Sequence, residues 1–472
     1  MTTNLEQPPL PYPAGFPSLP DVDRLVRAIE GTIPSAIRGS VWSVGSHAIA
    51  AVGFPAPMGA VCRIRRHGRP ALSAQVIGFE GDRTLLASFD GNEGISPGDR
   101  VELYMPTAQL PVGRGLLGRV IDPSGTPLDG RPSPLVEAWV PLDADPLPAM
   151  ARPPIRQRLE TGVRTLDTLI TLGRGQRIGI FAGSGVGKST LLGMITRGTS
   201  ADVIVIGLVG ERGREVLEYL QRELTAEVLP KCVTVVATSD QPALRRVQAA
   251  LAATAVAEYF RDCGKSVLLL MDSVTRFAMA QREIGLAAGE APTTRGYPPS
   301  VFSMLPRLVE RSGAGPSGSI TGIYTVLVEG DDTNEPIADT LRGLLDGHLV
   351  LSRSIAQSGR YPAIDVLASL SRLQNHLVDE KHLQAANRLR NLLAVYQDNQ
   401  DLIQLGAYQR GSNPTIDMAI TMYPTIQQFL AQDARQPAAW NDSVQRLLQI
   451  AATAETRAAT PPAGQASVGK AK

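Results

Sequence analysis

Ile180-Phe181-Ala182-Gly183-Ser184-Gly185-Val186-Gly187-Lys188-Ser189-Thr190 decides the reading of this 472-residue chain. An apolar run, Arg177–Phe181, leads into it, and Leu191-Leu192-Gly193-Met194-Ile195 follows, so strand, glycine-rich turn and helix succeed one another. Successive small residues let backbone N–H groups curl around phosphate oxygens, and the helix N-terminus adds positive potential. Gly183, Ser184, Gly185, Val186, Gly187 and Thr190 belong to this nucleotide cradle, and Lys188 would reach the β- and γ-phosphates. Ser189 would offer its hydroxyl to Mg²⁺. Ala182 stands where the pattern G-x-x-x-x-G-K-[ST] has glycine; the other fixed positions match. Three spaced glycines also suit a dinucleotide fold, but Lys188-Ser189 has no role there.

Nucleotide hydrolysis needs an acid for the metal and a group that polarises water. Val267-Leu268-Leu269-Leu270-Met271-Asp272 places Asp272 at the carboxyl end of a buried strand, where open α/β sheets bind ligands. Its expected task is to hold Mg²⁺ through water. Gly210-Glu211-Arg212-Gly213-Arg214-Glu215 follows the strand ending at Val209, so Glu211 projects at the same edge. Lys188, Asp272 and Glu211 together make a candidate site.

Outward from this core the pattern changes twice. Prolines at 8, 9, 11, 13, 17 and 20 predict an extended leader, and Val22, Leu25, Val26 and Ile29 recur at helical spacing within Asp21–Glu30. Short β-rich runs follow at Gly39–Val44, Ala48–Val52, Ala60–Ile64, Leu72–Phe79, Arg83–Phe89 and Asp99–Leu103. Their close spacing without helices predicts a small antiparallel barrel. From about Ile155, strands alternate with helices, the sign of a parallel α/β sheet: Arg177–Phe181, Asp202–Val209, Val233–Thr238, Ser266–Met271, Ile320–Val328 and His348–Leu351. After about Asp379 only helical periodicity is visible, with Asn413-Pro414 reading as a helix start. The expected parts are leader and helix 1–30, barrel 31–104, α/β domain 105–385, helical domain 386–456 and a disordered tail 457–472.

Composition excludes other classes. With 46 Lys+Arg against 45 Asp+Glu, a net charge of +1 argues against wholesale binding to nucleic acid. No apolar run approaches the ~20 residues that span a bilayer, and Met1–Glu6 lacks the start of a signal peptide. Cys62, Cys232 and Cys263 form no CxxC pair and read as buried small hydrophobes. His47, His67, His348, His376 and His382 show no ligand spacing. The basic run Arg63-Ile64-Arg65-Arg66-His67-Gly68-Arg69 has no interleaved aromatics and reads as a solvated hairpin. These features predict a soluble cytosolic protein.

The assembled motifs resemble the hexameric ATPases of the rotary ATP synthase superfamily, nearest to the export ATPases of flagella and type III secretion. Carrying the resemblance are Gly173-Arg174-Gly175-Gln176-Arg177, Gly210 to Val216, Met271-Asp272-Ser273-Val274-Thr275-Arg276, Gly296-Tyr297-Pro298-Pro299-Ser300-Val301-Phe302, Glu329-Gly330-Asp331-Asp332 and Pro362 to Arg372. It implies a RecA-like P-loop core with a parallel sheet, a small N-terminal β-barrel and a helical C-terminal domain. It makes Glu211 the catalytic base, with Arg212 beside it near the γ-phosphate. Arg372 resembles a finger inserted into the neighbouring subunit's site, Tyr361 the aromatic stacked on adenine, and Tyr408 a second aromatic. The cofactor implied is Mg²⁺ with ATP.

Partners implied by the resemblance are other copies in a homohexamer, a stator-like regulator at the N-terminus and a stalk-like central protein. The export gate, chaperones and exported proteins complete the set, with only peripheral contact to the inner membrane. Gly289-Glu290-Ala291-Pro292 departs from the usual Gly-Glu-Pro-Pro, and Gly406-Ala407-Tyr408 leans towards the flagellar branch. Rival readings are the injectisome branch, a non-catalytic nucleotide-binding subunit, which carries glutamine where Glu211 stands, and an RNA translocase resembling the Rho terminator.

Overall fold

Alternation of apolar and polar residues closes the first domain. The computed structural model describes residues 37–328 and 335–459. The expected leader, the helix at Asp21–Glu30, Glu329-Gly330-Asp331-Asp332 and the tail beyond 459 lie outside these residues. Strands β1 (Arg38–Val44), β2 (Ile49–Val52), β3 (Val61–Arg65), β4 (Leu72–Glu80), β5 (Arg83–Ser88) and β6 (Arg100–Met105) form a closed barrel in the order β1-β2-β5-β4-β3-β6. Leu72, Ala74 and Val76 of β4 point inwards while Ser73 and Gln75 face out, and Ile49, Ile64, Leu86 and Val101 fill the interior. Closure leaves no bare strand edge.

The basic run forms the β3–β4 hairpin with Arg65, His67 and Arg69 exposed, as read, and pairing across the barrel adds partners to it. β3 pairs with β6, and Arg63 lies over the Tyr104 ring at 3.6 Å from its centroid. Arg38, Arg65 and Arg100 all pair with Glu102. An aromatic does accompany the arginines, supplied by another strand.

The central sheet is built from β7 (Arg119–Ile121), β8 (Arg177–Ala182), β9 (Val203–Glu211), β10 (Cys232–Thr238), β11 (Ser266–Asp272), β12 (Ser319–Leu327), β13 (Gly347–Leu351) and β14 (Ile364–Ser371). Its spatial order is β14-β13-β8-β12-β11-β9-β10-β7. Seven of these strands run parallel, and β14 returns antiparallel along β13. The sheet therefore has one antiparallel edge, and β7 joins it from well before Ile155, where the alternation is first legible. Three residues are too few to show a period.

Crossovers between parallel strands run through α1 (Lys188–Gly198), α2 (Gly213–Arg222), α3 (Ala243–Asp262), α4 (Val274–Ala287) and α5 (Pro299–Glu310). Every residue of β11 is buried, each large apolar side chain contributing about 1.5–3 kcal/mol. That burial anchors the strand whose end carries Asp272.

Further along, α6 (Pro336–Leu344) and α7 (Arg353–Gln357) flank β13. The last three long helices are α8 (Glu380–Asp398), α9 (Pro414–Leu430) and α10 (Trp440–Ala459). The Asp379 side chain caps α8 by accepting from His382 N at 2.8 Å, so this helix runs through the boundary expected at 385/386. Asn413 caps α9, accepting from Thr415 N at 2.9 Å. Leu389, Met422, Phe429 and Leu447 share one apolar cluster with Ile178, Ile180 and Leu191, so the helical end packs on the phosphate-loop side of the sheet. Cys62 and Cys232 are buried as read, whereas Cys263 is exposed because it ends α3 in a turn.

Candidate active site

The carboxyl ends of β8, β9, β11 and β12 converge on one pocket. β8 ends at Ala182 and the chain turns through Gly183–Gly187 into α1, whose N-cap Gly187 has φ +93°, a conformation that favours glycine. No side chain caps α1 and its first turn holds no acid. Its leading N–H groups thus stay available to an anion. Ser184, Gly185 and Ser189 are exposed in the loop, while Val186 is buried and offers only its backbone. Thr190 follows them in the first turn.

Lys188 Nζ hydrogen-bonds Asp272 Oδ1, and Thr325 Oγ1 donates to the same oxygen at 2.6 Å. Lys188 Nζ lies 3.6 Å from Glu211 Oε1. The two carboxylates hold the buried ammonium pKa above its ordinary value despite the opposing cost of burial. Glu211 reaches this pocket through a β-bulge: the register of β9 against β10 shifts between Val209 and Glu211, at Gly210 with φ +70°. A Cβ at Gly210 would stand 3.0 Å from Arg276 Cδ, so glycine also admits that arginine.

Arg276 is the functional residue that sequence reasoning missed. Its Nε is 3.3 Å from Glu211 Oε1 and its Nη2 donates to Oε2 at 3.4 Å. It sits in the first turn of α4, whose cap Ser273 accepts from Arg276 N at 3.3 Å. A cap one residue past Asp272 with an arginine three residues on was the available signal. Thr325 was likewise unannounced, because only pairing of β12 beside β11 brings it there.

Glu211 Oε1 is buried and makes no hydrogen bond, although two cations stand close to it. Burial pushes the Glu211 carboxyl up to about 7; Asp272 adds to the rise, while Lys188 and Arg276 oppose it. An orphaned acceptor poised near neutrality suits a general base. The free chain should show an acidic limb in kcat/KM, falling about tenfold per pH unit below 7, since the ionised base is lost as pH drops through that value. Glu211→Gln should lower turnover by about 10²–10⁴-fold and flatten the limb. A limb surviving in Glu211→Gln would assign it to another group.

The other expected site residues separate. Tyr361 is near the loop: a Cβ on Gly187 would lie 3.5 Å from its ring. The ring is half exposed and its carbonyl accepts from Gln432 N at 2.9 Å, tying it to the helical end. Arg212 does not enter the pocket. As N-cap of α2 it is 76% exposed and pairs with Glu215 at 3.5 Å, because the chain turns outward after the bulge. Tyr408 also stays away; its hydroxyl donates to Asn413 O at 2.9 Å and braces the turn before α9.

Arg372 lies at the far edge of its own sheet. β13 runs parallel to β8, placing Leu351 beside Ala182, and antiparallel β14 starts there at Ile364 and descends to Ser371 beside Gly347. Arg372 N donates to Asp346 O at 3.0 Å. Asp346 itself pairs with Arg177 at the start of β8. β14 bulges between Asp365 and Leu370, so its length exceeds its drop. Five residues along β13, Leu351 to Asp346, set Arg372 about 16 Å down the sheet from the end of β8, at ~3.3 Å per residue. No side chain spans that gap within one chain.

Mg²⁺ keeps several waters and takes few protein ligands when phosphates share it. The pocket fits that demand: Ser189 is exposed at the head of α1, and Thr325 fixes the Asp272 carboxylate at the strand end. Among the described residues no group of three or more His, Cys, Asp or Glu could hold a metal alone.

Comparison with known proteins agrees with this geometry. Residues 162–371 match the nucleotide-binding domain of the ATP synthase alpha/beta family, and residues 378–449 the C-terminal domain of the T3SS EscN ATPase. The chain is 51% identical over 433 residues to the flagellum-specific ATP synthase of Bacillus subtilis, covering 91% of this chain and 99% of that protein. It is also 51% identical over 414 residues to the type 3 secretion system ATPase of Xanthomonas euvesicatoria, covering 87% and 93%. The assembled ATPase EscN of the enteropathogenic E. coli type III secretion system superposes with a TM-score of 0.84 at 45% identity, over 88% of this chain and 100% of that one. EscN solved with its central stalk EscO gives 0.81 at 44% identity, over 88% and 100%.

Proposed function

The chain belongs to the ATP synthase alpha/beta family, among its flagellar and type III secretion ATPases, and from that premise we propose a homohexameric export motor whose active sites lie between subunits. One observation carries the reading. Arg372 stands about 16 Å down the sheet from the end of β8, so its guanidinium cannot serve its own phosphate loop and can act only on a neighbour's site.

ATP phosphates enter the N–H cradle of Gly183–Thr190, and Lys188 exchanges part of its hold on Asp272 for the β- and γ-oxygens. Ser189, and Asp272 through water, would hold Mg²⁺, which when bound neutralises charge on the phosphate oxygens. Tyr361 offers its exposed ring to the base. Glu211, aimed by the bulge at Gly210 and steadied by Arg276, orients the attacking water and receives its proton. The neighbour's Arg372 then supplies fixed planar donors where charge gathers on the transferred phosphoryl. Arg212, exposed and paired with Glu215, would meet the subunit across the proposed interface.

Turnover bends the helical end through Tyr361, whose carbonyl Gln432 holds, and a central stalk and cargo receive the motion. EscN is known with such a stalk, EscO. A stator-like regulator at the N-terminus, the export gate, chaperones and exported proteins are the remaining proposed partners; nucleic acid is not among them. The flagellar branch is preferred for Ala407 before Tyr408. No helix among the described residues is long and apolar enough to cross a membrane, and a cytoplasmic ring peripherally attached to the inner-membrane apparatus is the proposed location.

Specific activity should climb steeply with protein concentration, monomers falling about 10³-fold or more below the assembled ring. Phosphate release measured beside light scattering tests this. Full specific activity in a monomeric sample would overturn it.

A further inference from the structure

Away from the phosphate loop, a cavity of about 250 Å³ opens in the seam between the central sheet and the last helices. Ser354, Ser358 and Arg360 line it from the α7–β14 side, Tyr396, Gln397 and Tyr423 from α8 and α9. The two tyrosine rings stack at 3.6 Å between centroids, nearly parallel at 9°, and make one flat wall. Arg360 is half-buried. Its Nη2 donates to Ile364 O at 2.7 Å, yet its Nε is buried and makes no hydrogen bond. Among the described residues no carboxylate lies within the 4.0 Å of an ion pair to it.

The one acid lining the cavity, Asp365, offsets this charge only in part and makes no ion pair with it. Asp365 Oδ1 accepts from Leu367 N and Ala368 N, both at 3.0 Å, and so serves its own backbone. A cation partly removed from water without an ion pair is costly, and burial depresses the Arg360 pKa more than Tyr423 and Asp365 raise it. Arginine presents paired donors that match oxyanions, and the surrounding phenols and the Gln397 amide add more.

We propose that this seam cavity binds a small oxyanion, phosphate or a compact carboxylate, on Arg360. The volume admits such an ion together with water. An anion there bridges α7 to α8 and α9, one residue from Tyr361. The seam then stiffens where the proposed motor must bend.

The test uses the full chain saturated with Mg²⁺ and a non-hydrolysable ATP analogue, so that the catalytic loop is already filled. Equilibrium dialysis with radiolabelled inorganic phosphate should find one ion per chain. Arg360→Gln should weaken it at least tenfold, and Arg360→Lys, which keeps the charge, should retain part of the affinity. Analogue binding by both variants confirms that they are folded. Competing malonate distinguishes the sources: displacement marks a site open to carboxylates, no displacement one confined to phosphate, and either upholds an oxyanion site. Absence of bound phosphate, or equal binding by Arg360→Gln, overturns the proposal while leaving the catalytic reading untouched.

Discussion

Arg372→Ala should lower ATP turnover by about 10³–10⁵-fold, the range an arginine finger supplies to phosphoryl transfer. The loss should fall on kcat with nucleotide affinity little changed, because the guanidinium meets charge that develops only in the transition state. Within its own chain Arg372 makes weak contacts: its Nη2 donates to Arg342 O at 3.4 Å, at the surface. Truncation should therefore leave the melting temperature within a few degrees of the parent. Mixing supplies the sharper measurement. Chains carrying Arg372→Ala keep an intact Glu211 pocket, and chains carrying Glu211→Gln keep the finger. Rings assembled from both should regain activity at those interfaces where an intact pocket meets an intact finger. No recovery in verified mixed rings would refute a finger acting between subunits.

Lys188→Ala should abolish measurable turnover, and it should also unsettle the empty protein. The ammonium lies between Asp272 and Glu211, whose side chains are 5% and 10% exposed. Removing the cation leaves two buried carboxylates facing each other, a change that costs about 3–5 kcal/mol when one partner of a buried pair is deleted. The penalty should shrink as pH falls and Glu211 takes up its proton, which in this variant happens at a higher pH than in the parent because Lys188 no longer lowers its pKa. Asp272→Asn in the same chain should restore part of the stability while leaving turnover absent. Urea unfolding of the nucleotide-free variants at two pH values reads this directly. An unchanged midpoint for Lys188→Ala would mean that the three charges do not form the cluster described.

Much of this was legible along the chain. Barrel strands announce themselves by period-two alternation between glycine and proline breaks, as in Leu72-Ser73-Ala74-Gln75-Val76. Val267–Met271 reads as a wholly buried strand because nothing polar interrupts it, so the acid that ends it stands out. The phosphate loop is legible for the same local reason: glycines, a lysine and a hydroxyl are read within one turn. Glu211 was placed at the right edge, but its aim depends on a bulge that no local pattern reveals.

Where a side chain points was not legible, whether a near turn or a distant strand decides it. Arg212 sits one residue from Glu211, yet a single extended residue turns it to solvent. Tyr408 looked like a ligand aromatic and braces a helix start instead. Tyr104 covers Arg63 only because β6 pairs with β3.

Short-range covalent order determined the elements, the cradle and the identities of Lys188, Asp272 and Glu211, because backbone propensity and side-chain period act over a few residues. Tertiary structure alone decided how they work. It aligned four strand ends into one pocket, brought Arg276 and Thr325 to the acids, and set Arg372 at the opposite edge of the sheet. Those outcomes rest on register and strand order, which follow from burying whole faces against partners tens to hundreds of residues away, a condition that no local stretch of chain contains.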